Sequence, residues 1–159
     1  MVWALIIAGL VILADQLTKH FLYGISMSLI GDFLWIEEAF NTGASFGMLK
    51  NGTVLFIAIS TPLILAMIWV LLSKRKEFTK FLKICVGILL GGTIGNYIDR
   101  IWLGGVRDFI YFKSINFAIF NVADIAITVG SIMLATYLII DIVKGIRKEK
   151  QKKNISEEK

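Results

Sequence analysis

Apolar residues fall along this chain in four long runs, separated by segments in which charge, glycine and aromatic residues gather. The runs Val2–Phe21, Thr53–Leu72, Phe81–Ile101 and Phe117–Ile140 each approach the roughly 20 residues an α-helix needs to cross about 30 Å of hydrocarbon. They predict four transmembrane helices. The first has no basic segment before it and no small-residue cleavage site before "DQLTKH", so a retained helix is expected rather than a removed signal peptide. Pro62 is expected to kink the second helix, and Gly87, Gly91 and Gly95 form a small-residue ridge on the third that permits close helix approach.

Composition strengthens that reading. Of 159 residues, 57% are hydrophobic, above the roughly 45–50% of soluble domains. The net charge is +5, and its placement matters more than its size. Lys74, Arg75, Lys76, Lys80 and Lys83 lie in one linker, and Lys144, Arg147, Lys148, Lys150, Lys152, Lys153 and Lys159 lie in the tail. By the positive-inside rule both segments are cytoplasmic, so both termini are inside and residues 22–52 and 102–116 face outward. Asp32, Glu37 and Glu38 against Lys50 in the first outer segment agree. No aromatics interleave with either basic cluster, so nucleic acid is not an expected partner. Within the basic cytoplasmic tail, residues 141–159, the stretch Lys144–Lys159 is read as solvated, partly disordered and attracted to anionic lipid.

The first outer segment is too long for a plain connector. Its "SLIGDFLWIEEAFNTGASFGML" suits short strands and turns on the membrane surface, with Trp35, Trp102 and Tyr111 at headgroup depth. The expected fold is therefore an α-helical integral membrane protein of four transmembrane helices with a small extracytoplasmic β-rich platform, one domain over residues 1–159.

A single His20 and a single Cys85 cannot build a His/Cys metal site or an internal disulfide. Cys85 reads as a packed small hydrophobe. The informative polar residues are those at the outward ends of three helices. Asp15 and Lys19 are spaced for a helical ion pair; Asn96, Asp99 and Arg100 share a face, as do Asn121 and Asp124. Counting about 1.5 Å per residue from Phe117 puts Asp124 on the order of 10 Å into the fourth helix. A turn at Gly104 and Gly105, followed by Val106, could return Asp108 over the bundle toward Asp124. Two carboxyls that meet there cannot easily both ionise, so one holds a proton near neutral pH. One could then activate water while the other donates to a carbonyl oxygen. Taken singly, Asp15, Asp99 and Asp124 also fit satisfied intramembrane polar groups pairing with Lys19 or Arg100.

Rival classes are a proton or cation relay, a serine–lysine peptidase using Lys19 or Lys113, and a non-catalytic assembly partner. Against the first, the polar groups lie near one membrane face with no chain continuing inward. Against the second, no Ser lies one or two helical turns from either Lys on a clearly helical face.

Five ordered motifs, "DQLTK", "NTGASFG", "GNYIDR", "GGVRDF" and "FNVADIAI", resemble those of the bacterial lipoprotein signal peptidase, or signal peptidase II, family along essentially the whole chain. The resemblance implies a membrane aspartic endopeptidase cleaving diacylglyceryl-modified prolipoproteins on the amino side of the lipidated cysteine, as a monomer among membrane phospholipids. Carried over by motif, Asp108 and Asp124 would be the catalytic pair. Asn41, Gly43, Asn96, Asp99, Arg100 and Asn121 would shape the pocket and hold substrate, supported by Asp15 and Lys19. Ser45 stands where the family often has Ala. No metal or organic cofactor is implied, water being the nucleophile. Gly31–Leu49 is expected to form a mobile platform that closes over the substrate.

Overall fold

The third long helix organises the fold. The computed structural model describes residues 2–43, 52–73 and 78–157. It contains α1 (Val2–Leu22), β1 (Met27–Ile30), β2 (Leu34–Asn41), α2 (Thr53–Leu72), α3 (Lys80–Leu103), β3 (Val106–Phe112), a 3-10 turn (Lys113–Ile115) and α4 (Val122–Glu157). Half of the apolar window of α3 is buried, against 22% for α1 and 11% for α2 and α4. The others surround it and turn apolar side chains such as Trp3, Val54, Leu65 and Ile132 outward. All four helices are long and apolar enough to cross a membrane, where such surfaces meet hydrocarbon instead of water.

Glycine explains how closely the helices approach. A Cβ on Gly87 would stand 2.5 Å from the Ala4 carbonyl oxygen, and one on Gly91 2.6 Å from Val11 Cβ. A Cβ on Gly95 would stand 2.5 Å from Asp15 Oδ2, and one on Gly92 2.6 Å from the Ala123 carbonyl oxygen. The predicted ridge thus seats α1, and Gly92 beside it seats the start of α4. Away from the sheet, Ala4, Ala8, Met67, Leu71, Val86 and Leu90 form the buried apolar cluster. Cys85 is fully buried, as a packed hydrophobe should be. Pro62 lies inside α2, which runs on through it.

The strands form one antiparallel sheet in the order β1-β2-β3. It sits where α1 and α3 end and α2 and α4 begin. Gly104, at φ 78, caps α3 and donates its N–H to the Arg100 carbonyl at 3.2 Å. That left-handed step reverses the chain into β3, as the paired glycines suggest. β3 then lies against β2, with Val106 opposite Asn41 and Asp108 opposite Ala39.

The first three predicted spans agree with α1, α2 and α3 to within a few residues. The fourth needs correction at both ends. Phe117–Phe120 is not helical: Asn116 adopts φ 48, and Phe120 bridges to Ile110 beside β3. Its aromatic side chains pack there, Phe112 against Phe120 and Phe117 against Phe120. A short apolar run of this kind does not distinguish helix from strand by hydrophobicity alone. At the other end, the tail expected to be partly disordered continues α4 as helix to Glu157. Its Lys, Arg, Glu and Gln residues favour helix, and Gly145 alone is too weak a stop. Part of the expected platform, Ala44 to Leu49, lies outside the described residues.

Candidate active site

The site is assembled at the start of α4. Asn121 precedes the helix and accepts the Asp124 N–H on Oδ1 at 3.0 Å; Asp124 Oδ2 accepts the Asn121 N–H in return at 3.1 Å. This is a reciprocal capping box. Asp124 is therefore in the first turn of α4, and the estimate of about 10 Å inside the helix fails because it counted from Phe117. Position explains its tolerance better than depth does: a carboxylate is favoured at a helix N-terminus by unpaired N–H groups and by the dipole.

The other oxygen of Asp124 points elsewhere. Oδ1 accepts Asn96 Nδ2 from α3 at 2.8 Å. Asn96 Oδ1 accepts Lys19 Nζ at 2.8 Å and Asn121 Nδ2 at 3.0 Å. Asn121 Nδ2 also donates to Asp108 Oδ1 at 2.6 Å, while Asn41 Nδ2 donates to Asp108 Oδ2 at 3.1 Å. Asn41 in turn accepts the Gly43 N–H at 3.0 Å. Asn121 thus links both carboxylates, to Asp108 by its side chain and to Asp124 by its backbone.

Asp108 and Asp124 face one cavity of about 140 Å³, lined also by Asn41, Gly43, Asn96 and Arg100 and closed by Val106 and Ile119. That volume accommodates several waters. Asp108 is 2% exposed. Burial, and then the neighbouring Asp124 charge, push its pKa from the ordinary 3.8 up to about 7, against the opposing hydrogen bonds from Asn41 and Asn121. Such a pair is able to hold and exchange a proton near neutrality.

Behind the cavity, Lys19 Nζ stands 2.8 Å from Asp15 Oδ2 and 3.6 Å from Asp99 Oδ2, all three side chains fully buried. With Asn96 Oδ1 they give the ammonium three acceptors. Asp15 Oδ1 also accepts the Ala123 N–H at 2.9 Å, satisfying another free donor at the α4 terminus. Of the two cations open to Asp99 in the sequence, Lys19 and Arg100, the structure brings Lys19 to it and adds a third. Asp99 binds Arg107 at 2.8 Å, whereas the Arg100 guanidinium lies 4.7 Å from the centre of the Phe56 ring and reaches the cavity. Arg107 and its neighbour Gln16 went unselected in the sequence because no helical or strand period joins residue 107 to residue 99. Only the Gly104 turn does. Among the described residues, no group of three or more His, Cys, Asp or Glu side chains is arranged to hold a metal ion.

Four apolar helices, a capping sheet and a paired-carboxylate cavity at their junction describe a multi-pass membrane enzyme. The chain belongs to the signal peptidase II family, whose model matches residues 7–140. It is 37% identical to a lipoprotein signal peptidase of Brevibacillus brevis over 87% of this chain and 96% of that protein. It is 35% identical to one of Halalkalibacterium halodurans over 94% of this chain and 97% of that one. A solved bacterial membrane enzyme, determined by the in meso method at 2.3 Å resolution, superposes with a TM-score of 0.80 at 30% identity, covering 89% of this chain and 90% of its own. The chain is accordingly a membrane peptidase.

Proposed function

We propose that this peptidase is an aspartic endopeptidase, removing signal peptides from diacylglyceryl-modified prolipoproteins by cutting on the amino side of the lipidated cysteine. The observation that carries this is the pair Asp108 and Asp124, two carboxyls facing one small cavity. The names of the relatives, lipoprotein signal peptidases, support the substrate class. One carboxylate takes a proton from water as the oxygen attacks the scissile carbonyl carbon, and the protonated partner donates to the carbonyl oxygen. Collapse of the tetrahedral diol breaks the C–N bond: the partner carboxylate takes back a proton from one diol hydroxyl as the new carboxyl forms, and the proton gained from water passes to the departing cysteine nitrogen. The mechanism uses water and no cofactor. Asn96, Asn121 and Asn41 hold the carboxyls; the Gly43 region and Arg100 border the space for the substrate backbone, and Asp99, Asp15 and Lys19 brace it from behind.

Placement follows from charge. With the basic linker and tail cytoplasmic, the sheet and cavity lie at the extracytoplasmic face of the bacterial cytoplasmic membrane, and the whole chain acts as a single domain and a monomer. An apolar groove of about 430 Å³ along Phe117, Phe120, Ile125 and Thr128 opens beside Asp124. It suits a substrate that keeps its apolar parts in lipid while the scissile bond reaches the carboxyls. A serine–lysine mechanism has less support: Lys19 is committed to Asp15, Asp99 and Asn96, and Lys113 rests 3.6 Å from the centre of the Trp35 ring.

The test is cleavage of a diacylglyceryl-modified prolipoprotein by purified protein, with the cut located by mass spectrometry. A cut immediately before the lipidated cysteine, absent with unlipidated substrate, is expected; equal cleavage of both would remove the lipid requirement from this reading. The same assay gives a pH prediction. With Asp108 near 7, the pair loses its remaining proton as the pH rises through that value, so kcat/KM should fall on the alkaline side. Activity constant from pH 6 to 9 would mean that no such proton is used.

A further inference from the structure

Arg107 is a strongly bonded side chain at this end of the molecule without a part in the chemistry described so far. Its Nε donates to Asp99 Oδ2 at 3.1 Å and its Nη2 to Asp99 Oδ1 at 2.8 Å, a two-point fork. Its own backbone N–H donates to the same Asp99 Oδ2 at 3.0 Å. Nη2 also reaches Gln16 Oε1 at 3.2 Å. Gln16 is itself anchored to α3, donating to the Gly95 carbonyl at 3.0 Å. Finally, the Arg107 carbonyl accepts Asn121 Nδ2 at 3.4 Å, the same amide that bonds Asp108.

The chain position of these bonds is what matters. β3 leaves α3 through Gly104 and Gly105, and on one side it pairs with β2, Phe40 opposite Arg107 and Ala39 opposite Asp108. Its first residues carry Asp108. The fork pins residue 107 by side chain, amide and carbonyl to α3, α1 and the start of α4, one residue before that carboxyl. Adjacent Cα atoms are about 3.8 Å apart, so fixing residue 107 fixes where the Asp108 side chain begins. Paired carboxyls in a cavity of about 140 Å³ tolerate little displacement, because misplacement by about 1 Å can cost on the order of 10²-fold in rate.

We infer that Arg107 is a positioning residue for peptide hydrolysis, holding the start of β3 so that Asp108 meets Asp124 across the cavity. This rests on the reading of those two residues as the catalytic pair. Arg107 touches neither the cavity nor the reacting atoms and acts through Asp99 and the strand.

The experiment compares wild type, Arg107→Ala, Arg107→Lys and Asp108→Asn on diacylglyceryl-modified prolipoprotein, with kcat calculated per folded, monodisperse enzyme. Positioning predicts kcat about 10–100-fold lower in Arg107→Ala with KM within twofold, and a smaller kcat loss in Arg107→Lys, which keeps the charge but not the fork. The Arg107 side chain is 20% exposed, so added methylguanidinium should enter the vacated space and restore kcat in Arg107→Ala, but not in Asp108→Asn. A purely structural role would lower the yield of folded protein and leave kcat per folded molecule intact. That result overturns the inference, as does a change confined to KM. If Arg107→Ala fails to fold, wild-type kcat in Arg107→Lys overturns it instead. An active Asp108→Asn would defeat the catalytic reading itself, whereas inactive Asp108→Asn beside normal Arg107 variants defeats the positioning role alone.

Discussion

Replacing either Asp108 or Asp124 by Asn is expected to lower cleavage of lipidated prolipoprotein by about 10²–10⁴-fold or more, with the protein still folded. Asn keeps the size and one acceptor oxygen, so Asp108→Asn retains an acceptor for Asn121 Nδ2 and Asp124→Asn one for Asn96 Nδ2. Neither can exchange a proton with water. Because the two act as a unit, the double variant should be scarcely worse than either single one. Stability supplies an independent check for Asp108. Its folded-state pKa of about 7 exceeds the ordinary 3.8, so between those values the folded protein binds the proton more tightly than the unfolded chain. Stability from this group therefore falls as pH rises through that window, and the ionised carboxylate is a burden above it. At pH 8, Asp108→Asn should melt no lower than wild type while losing activity. A folded Asn variant at either position with near-normal turnover would end the paired-carboxyl mechanism.

Much of the architecture was legible because its causes are local and repetitive. Four apolar runs of bilayer length specify four helices, and a glycine every fourth residue from Gly87 to Gly95 specifies a face that another helix approaches closely. The return of Asp108 over the bundle was readable from Gly104 and Gly105, since few residues accept the φ of 78 that the turn requires. The start of α4 was not. Phe117–Phe120 is as apolar as the helix that follows, and only its pairing beside β3 shows it to be extended. A helix counted from Phe117 places Asp124 about two turns inside it, whereas in the structure it is a capping residue. The spacing of Asn121 and Asp124 places them on one helical face, and the same spacing also marks a capping box. Arg107 was hidden for another reason: its partnership with Asp99 spans a turn and has no sequence period at all.

Lys19 carries the second large effect, and on folding before chemistry. The ammonium is fully buried among Asp15 Oδ2, Asp99 Oδ2 and Asn96 Oδ1, and removing one partner of a buried charge cluster typically costs about 3–5 kcal/mol. Lys19→Met fills similar space with no charge. It leaves two buried carboxylates facing each other and Asn96 Oδ1 without its strongest donor, so a marked drop in thermal unfolding temperature in detergent is expected. Arg107 still holds Asp99; the worse-stranded group is Asp15, whose Oδ1 must continue to accept the Ala123 N–H. The double variant Lys19→Met/Asp15→Asn should accordingly recover part of the loss, because the amide keeps that acceptor and removes the unpaired charge. If Lys19→Met unfolds at the wild-type temperature, the ion cluster contributes little. If the double variant is no better than the single, the loss comes from the Lys19–Asn96 bond rather than from the stranded charge. Either way, the cluster also fixes Asn96, which holds Asp124, so any folded Lys19 variant should lose turnover as the carboxyl loses its orientation.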